Sequence, residues 1–159
     1  MGYIGDGPIT IADAKRGDIG NTAKQYAASI FGHFGFDSVT LSPYMGGDSI
    51  MPFLTNEEKG VFILCRTSNP SAKTFQSLNV CNEVKLYEQV AKWADSLNVN
   101  DNVGLVVGAT APEKLIKVRR LAPSLPILIP GIGAQGGDLV SCIKAVSYTH
   151  LTLPTKRIV

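Results

Sequence analysis

Short runs of apolar residues alternate along this chain with longer stretches in which apolar residues recur at helical spacing. Short apolar runs bounded by polar residues predict β-strands, and the longer stretches predict helices that bury one face. The predicted strands are Ile9–Asp13, Ser38–Leu41, Val61–Cys65, Val103–Val107 and Ile127–Ile129. The predicted helices are Asn21–Phe34, Gly47–Leu54, Lys85–Leu97, Pro112–Leu121 and Asp138–Ala145. The chain is therefore predicted to consist of repeated βα units.

The predicted strands are apolar nearly throughout, as parallel strands covered on both faces should be. Repeated βα units with right-handed crossovers leave two main architectures, a (β/α)8 barrel and an open doubly wound sheet. A complete barrel needs about 250 residues. This chain of 159 residues has material for roughly five units.

Composition narrows the class of protein. The chain is 45% hydrophobic and 18% charged, which is typical of a globular domain with a sizeable core. Its net charge of +2 gives no reason to expect nucleic acid or a membrane as partner. Three widely spaced cysteines without a C-x-x-C pattern predict reduced thiols and a cytoplasmic location. No apolar run approaches the ~18 residues of a membrane span, and the N-terminus lacks the features of a signal peptide.

Charged residues in the pattern D-x-K-x-x-D follow the first predicted strand. Because side chains alternate along a strand, Asp13 and Lys15 should project from the same face near its carboxyl end, and Asp18 follows in the loop. Unit charges ~4 Å apart near a protein surface interact by about 4 kcal/mol, enough to keep all three groups charged. Such an array can stabilise and then protonate a carbanion. A surface ion-pair cluster is the alternative interpretation of this pattern alone.

Two further polar segments follow strands, where both architectures place their functional sites. The segment R-T-S-N-P at 66–70 opens a polar loop that runs to about Asn82. The segment P-G-I-G-A-Q-G-G-D at 130–138 has glycines that let backbone N–H groups approach an anion, and a helix beginning just beyond it would add a favourable dipole. Taken alone, this loop can equally be a tight turn, and it lacks the spacing of a dinucleotide-binding fingerprint.

Together, D-x-K-x-x-D-I-G-N-T, R-T-S-N-P and P-G-I-G-A-Q-G-G resemble the motifs of the orotidine 5′-phosphate decarboxylase family in order and spacing. The resemblance covers most of the chain, and the R-T-S-N-P form is similar to the branch common in bacteria. It implies an α/β fold, a partial (β/α)8 TIM barrel whose third to seventh strands are present here. It also implies a cofactor-independent carboxy-lyase that converts orotidine 5′-phosphate to UMP and CO₂ in pyrimidine biosynthesis.

The resemblance further implies roles for individual residues. Asp13 would sit beside the substrate carboxylate, and Lys15 would stabilise the developing C6 carbanion and then protonate it. Asp18 and Thr22 would act across a homodimer interface, on the neighbouring subunit's charge network and ribose. Ser68 would bond the pyrimidine edge. The predicted site residues are, as catalytic groups, Asp13, Lys15 and Asp18, and, as substrate-binding groups, Thr22, Ser68, Gln135, which would close over the phosphate, and its neighbour Gly136.

Both ends depart from the family pattern. The first two βα units, with a ribose-contacting aspartate and a second active-site lysine, have no counterpart upstream. Downstream, the expected eighth strand with its phosphate-binding arginine is replaced by 147–159, which looks like a translated sequencing adapter, a genuine irregular tail being the alternative. We therefore expect a partial decarboxylase barrel domain at 1–146 and a non-native tail at 147–159. A five-strand slice would leave two unpaired sheet edges, so we expect the isolated chain to be inactive and aggregation-prone.

Two other functions remain open on the sequence alone. Mg²⁺-dependent hexulose-phosphate synthases and sugar-phosphate decarboxylases of the same superfamily use a similar D-x-K-x-x-D, although the Asn-Thr continuation and R-T-S-N-P disfavour them. A non-catalytic module that binds a nucleotide or phosphate is the second. Activity without metal argues against the first, and UMP binding without decarboxylation would favour the second.

Overall fold

The computed structural model describes residues 7–133 and 135–146. The strands are β1 (Ile11–Arg16), β2 (Ser38–Leu41), β3 (Gly60–Arg66), β4 (Asn79–Cys81), β5 (Val84–Lys85), β6 (Val103–Val107) and β7 (Ile127–Leu128). The α-helices are α1 (Gly20–Ala27), α2 (Met51–Leu54), α3 (Leu86–Leu97), α4 (Pro112–Leu121) and α5 (Leu139–Val146). None of these helices is long and apolar enough to cross a membrane. The tail predicted at 147–159 lies outside the described residues, so its interpretation stays a prediction.

Five strands form one parallel sheet in the order β1-β2-β3-β6-β7. Because this order follows the chain, every crossover runs in the same direction, and right-handed crossovers place the connecting helices on one face. A doubly wound sheet would instead reverse its strand order and carry helices on both faces. The sheet is therefore a slice of a (β/α)8 barrel, and the predicted fold class is confirmed.

The core lies between this sheet and the helices. Strands β2 and β6 are buried along their whole length, and on β3 buried residues alternate with half-buried ones. Helix α3 contributes Tyr87, Ala91 and Ala94 to the same apolar cluster. Fully burying a large apolar side chain such as Leu105 or Leu115 contributes about 1.5–3 kcal/mol. The core therefore holds the strands in fixed positions, so that side chains at the strand ends can be placed precisely.

Most of the predicted elements are confirmed, although two predicted helices differ in form. The one predicted over Gly47–Leu54 is a turn of 3₁₀-helix, Gly47–Ser49, followed by α2. The bounds of β2, β6 and α4 agree with the prediction residue for residue. The helix predicted over Asn21–Phe34 is α-helical only as far as Ala27, and it continues as a π-helical segment over Ala28–His33. The polar loop after β3 contains a short turn of 3₁₀-helix, Pro70–Thr74, and the antiparallel hairpin β4–β5, which was not predicted.

Strand β1 carries an irregularity at its carboxyl end. Ala12 pairs with Val39 and Arg16 pairs with Leu41, so β1 advances four residues where β2 advances two. Within this bulge Lys15 has φ 48°, in the left-handed region that residues with a side chain rarely adopt. Bulges of this kind bend a strand and redirect its side chains, and they are frequent beside active sites.

Candidate active site

The charged group predicted at the end of β1 is present. Lys15 Nζ lies 2.6 Å from Asp13 Oδ2, so the two side chains share one face as expected. The hydrogen bond from Lys15 lowers the pKa of Asp13, aided by a second one from Thr40 and opposed by partial burial. About half of the Lys15 side chain remains exposed. The ammonium group is therefore held by a carboxylate and still open to a ligand.

Thr40, on the neighbouring strand β2, completes this group. Its hydroxyl donates to Asp13 Oδ1 at 2.9 Å and accepts from the Lys15 backbone N–H at 3.0 Å. The side chain is buried, with 1% of the residue exposed. Sequence reasoning missed Thr40, because the contact joins residues 25 and 27 positions apart. The signal that could have found it is a polar residue near the carboxyl end of a buried strand that pairs with β1.

Asp18 and Thr22 lie beyond the bulge, at the start of α1. Asp18 Oδ1 accepts from the Ile19 backbone N–H at 2.8 Å. Asp18 belongs to none of the ion pairs formed within 7–133 and 135–146. Thr22 is exposed. Among the described residues, neither forms a hydrogen bond or ion pair with Lys15, and their predicted role across a dimer interface stays a prediction.

Ser68 and Gln135 meet although they are 67 positions apart. Ser68 Oγ donates to Gln135 Oε1 at 2.6 Å, which joins the loop after β3 to the loop after β7. Gln76 fixes the first of these loops: its Oε1 accepts from the Thr67 backbone N–H at 2.9 Å, and its Nε2 donates to Thr67 Oγ1 at 2.9 Å. Sequence reasoning did not identify Gln76. Its anchoring contacts hold the segment that presents Ser68.

The Gly-rich loop folds as a compact turn closed by its own backbone. The Gly136 N–H donates to the Gly133 carbonyl at 2.9 Å, and the Gly137 N–H donates to the Gly131 carbonyl at 3.1 Å. Gly136 has φ 81°, a conformation that glycine adopts without steric cost. In this conformation, the N–H groups of Gly136 and Gly137 are already used within the loop.

The helix that follows the Gly-rich loop differs from the expectation that its N-terminus would favour an anion. Asp138 caps α5: its Oδ2 accepts from the Ser141 backbone N–H at 2.8 Å and from Ser141 Oγ at 2.6 Å. These hydrogen bonds lower the pKa of Asp138. A carboxylate therefore already occupies the positive end of this helix dipole, and a phosphate group would have to bind elsewhere along the loop.

All of these groups lie at one edge of the sheet, because parallel strands end on the same side. Strand β1 supplies the Asp13–Lys15 pair, β2 supplies Thr40, and the loops after β3 and β7 supply Ser68 and Gln135. No group of three or more His, Cys, Asp or Glu residues within the described ranges could hold a metal ion. The fold and this edge define a βα-barrel protein that presents an ammonium group, fixed by a carboxylate, to a bound molecule.

Comparison with known proteins identifies the family. Residues 5–141 match the model of the orotidine 5′-phosphate decarboxylase / HUMPS family. The orotidine 5′-phosphate decarboxylase of Halorubrum lacusprofundi is 55% identical over 139 residues, which are 87% of this chain and 49% of that protein. The enzyme of the same name from Delftia acidovorans is also 55% identical, over 85% of this chain and 50% of that protein. The structure of Leishmania donovani OMP decarboxylase superposes with a TM-score of 0.80 at 49% identity, covering 85% of this chain and 52% of that one.

This chain belongs to the orotidine 5′-phosphate decarboxylase / HUMPS family. The resemblance drawn from the three sequence motifs is thereby confirmed. The chain spans about half the length of the curated relatives it matches.

Proposed function

We propose that this chain, completed by the rest of the barrel, converts orotidine 5′-phosphate to UMP and CO₂ without a cofactor. One observation carries the proposal: Lys15 Nζ lies 2.6 Å from Asp13 Oδ2 at a bulge on the carboxyl edge of the sheet. The substrate is proposed from the names of the relatives, which are orotidine 5′-phosphate decarboxylases.

In the proposed reaction, the bond between C6 and the carboxylate carbon breaks and its electron pair stays on C6. The Lys15 ammonium stabilises this negative charge and then donates a proton to C6, so that a C6–H bond forms. The neutral amine is reprotonated from water. Asp13 holds the ammonium in place, and a charge fixed before the reaction stabilises the transition state without reorganisation. The lowered pKa of Asp13 keeps its carboxylate ionised at neutral pH.

Substrate binding is proposed to involve the loops after β3 and β7. Ser68 bonds the pyrimidine edge, and Gln135 and Gly136 close over the phosphate. The 2.6 Å hydrogen bond between Ser68 and Gln135 supports a direct link between the two ends of the substrate. Because the Gly136 N–H is bonded to Gly133 in this conformation, contact with phosphate requires the loop to exchange that bond. Such a change on binding is typical of loops that close over a substrate.

We also propose a homodimer in which Asp18 and Thr22 act on the partner's site. Both residues lie within two positions along the chain of residues that line a groove between the start of α1 and α2, where Ile19 and Met51 are 48% and 52% exposed. Apolar groups left open beside polar ones are typical of a protein interface. In a barrel completed with the matching half of a relative, we expect Met51→Glu to give monomers in size-exclusion chromatography with light scattering, and to lose turnover.

A matched variant separates loss of the dimer from the effect of added charge. Val99 is 83% exposed in the loop before β6, far along the chain from the groove. Val99→Glu should leave both the dimer and the turnover intact. Dimers that persist in Met51→Glu with full turnover would contradict the proposed interface.

A chimera tests the proposed reaction. The residues of this chain that match the Delftia acidovorans decarboxylase replace the corresponding half of that enzyme, so that Asp13, Lys15, Ser68 and Gln135 come from this chain. We expect purified chimera to release UMP from orotidine 5′-phosphate in the presence of a chelator. The same chimera with Lys15→Ala is the matched control and should be inactive.

Two results would replace this proposal with one of the alternatives. Turnover that requires Mg²⁺ and a sugar phosphate would favour a metal-dependent relative within the same superfamily. UMP binding without decarboxylation would favour a nucleotide-binding module. For the 159-residue chain by itself we expect no turnover. We also expect it to aggregate when concentrated, seen as increased light scattering, because β1 and β7 each pair on one side only within the described part of the chain.

Two further proposals concern the extent of the domain and its location in the cell. We place the barrel portion at 1–146 and regard 147–159 as a non-native tail. We also place the protein in the cytoplasm, which agrees with the free thiols of Cys65, Cys81 and Cys142.

A further inference from the structure

Thr40 makes two hydrogen bonds whose directions are fixed by chemistry. An ionised carboxylate can only accept and a backbone N–H can only donate, so the Thr40 O–H must point at Asp13 Oδ1 while a hydroxyl lone pair receives the Lys15 N–H. The distances are 2.9 Å and 3.0 Å. One hydroxyl therefore contacts both members of the pair, one through its side chain and the other through its backbone.

The backbone contact has a structural reason. In a regular parallel pair of strands, each N–H directed at the neighbouring strand donates to a carbonyl oxygen of that strand. At the bulge, β1 advances four residues against two on β2, and Lys15 takes up φ 48°. The Thr40 hydroxyl accepts the Lys15 N–H there in place of a carbonyl. Thr40 therefore stabilises the backbone conformation in which Lys15 Nζ contacts Asp13.

The side-chain contact orients the carboxylate. Because Thr40 occupies Oδ1, Oδ2 is left to face Lys15 Nζ, at 2.6 Å. The Thr40 hydrogen bond also lowers the pKa of Asp13, although less than the bond from Lys15 does. With only 1% of Thr40 exposed, there is little room for a water molecule to take over these contacts if the hydroxyl is removed.

We propose that Thr40 is a positioning residue for the decarboxylation, acting through Asp13 and Lys15 and not on the substrate itself. This rests on the proposed function, since it assigns the reacting ammonium to Lys15. A residue that only orients the reacting group should affect the chemical step and leave substrate binding largely unchanged.

The test uses three variants of the chimera. Thr40→Val keeps the shape of the side chain and removes the hydroxyl, and Thr40→Ser keeps the hydroxyl. Thr10→Val makes the same change at a threonine that bonds Asp37 at the opposite end of the sheet. We expect Thr40→Val to lower kcat by about 10- to 100-fold, the equivalent of one hydrogen bond to a charged group, with KM nearly unchanged. Thr40→Ser should restore most of kcat, and Thr10→Val should leave it unchanged.

A second measurement does not depend on activity. The carboxyl pKa of Asp13 is read from its ¹³C resonance during a pH titration, assigned with Asp13→Asn. We expect it to rise in Thr40→Val and to stay near the parent value in Thr40→Ser. If Thr40→Val does not fold, as judged by circular dichroism, Thr40→Ala replaces it.

The outcomes separate this inference from the proposed function. An unchanged kcat together with an unchanged Asp13 pKa in the hydroxyl-free variant would overturn the role of Thr40. An effect on KM alone would overturn it as well. If the parent chimera does not decarboxylate at all, the proposed function fails, and the Asp13 titration still decides whether Thr40 orients the pair.

Discussion

The two ends of the parallel sheet carry the same three kinds of side chain. At the carboxyl end, Asp13 is bonded by Thr40 and by Lys15. At the amino end, Asp37 Oδ2 accepts from the Thr10 N–H at 2.9 Å and from Thr10 Oγ1 at 2.7 Å, and Lys59 Nζ lies 3.4 Å from Oδ1. In both groups, hydrogen bonds hold the pKa of the aspartate below its usual range.

The groups differ in how they are attached to the chain. Asp37 connects three separate segments, those before β1, before β2 and before β3, and its lysine is mostly buried, with 21% of the side chain exposed. Asp13 and Lys15 lie two residues apart on one bulged strand, and the lysine is 51% exposed. A charge whose partners lie on several segments holds those segments together. A charge paired within one strand is instead presented to whatever binds beside it.

The largest effect should come from removing the lysine at the carboxyl end, compared with removing the lysine at the amino end. In the chimera, we expect Lys15→Ala to reduce kcat by far more than the ~10²–10⁴-fold typical of a lost general acid, because the electrostatic stabilisation is lost too. Lys59→Ala removes the same side chain at the amino end and should leave kcat within about threefold of the parent, since Lys59 lies at the opposite end of the sheet from the reacting groups. Steady-state kinetics with orotidine 5′-phosphate measure both. A Lys15→Ala chimera that retains most of its turnover would remove the distinction between the two ends.

Two glycines at opposite ends of the β6 segment test whether the carboxyl end serves binding and the amino end serves stability. A Cβ on Gly108 would lie 2.7 Å from the Ser68 backbone N and 2.8 Å from its Cα, so Ser68 would have to move. We expect Gly108→Ala to break the hydrogen bond from Ser68 to Gln135 and to raise KM by about tenfold, the equivalent of one hydrogen bond.

Gly104→Ala is the matched change near the amino end of the same strand. Its Cβ would lie 2.6 Å from the Phe62 ring and 2.9 Å from the Pro126 carbonyl oxygen. Overpacking of this kind costs about 1–3 kcal/mol of the free energy of unfolding. Denaturant unfolding should show that loss with KM unchanged. If Gly104→Ala raises KM and Gly108→Ala does not, the two ends do not divide stability from binding as proposed.

The smallest effect should appear in the pH dependence of stability. Hydrogen bonds from Thr10, chiefly that of its side chain, lower the pKa of Asp37 in the folded state. Its contribution is therefore complete above the unfolded value of about 3.9 and is lost as the pH falls through the lower folded value. The stability difference between the chimera and its Asp37→Asn variant should be largest near neutral pH and should shrink in acid. Denaturant titrations at several pH values measure it.

Glu57→Gln controls for the change in net charge, because Glu57 is an exposed acid in the loop before β3. A difference between the chimera and Asp37→Asn that stays constant from neutral to acid pH would mean that Asp37 does not act through its charge.

The parallel sheet could be predicted because buried parallel strands consist of apolar residues. The hairpin β4–β5 could not be predicted. Strand β4 is exposed along its whole length, so it has no apolar pattern. Its turn has positive φ at both central residues, 43° at Asn82 and 63° at Glu83. Hairpin turns of that shape usually carry glycine. With Glu83 in that position, the usual sequence signal is missing.

For the candidate site, the sequence identified the charged pair and the Ser68 and Gln135 loops, and it missed their supports. Thr40 and Gln76 act through contacts that depend on strand pairing and loop path, which a single sequence does not reveal. The bulge escaped prediction for a related reason, because nothing in the identity of Lys15 indicates a positive φ. The types of the residues indicated the chemistry, whereas the orientation of their side chains depends on neighbours that are remote along the chain.

The order in which the parallel strands lie has a consequence for synthesis on the ribosome. Each strand from β2 onward pairs with the strand made before it in the parallel sheet, so the edge that receives it already exists when it emerges. Closing short loops is fast compared with translation, which proceeds at about 5–20 residues per second. The sheet can therefore grow one strand at a time behind the ribosome, with Lys15 and Thr40 brought together well before Gln135 has been translated.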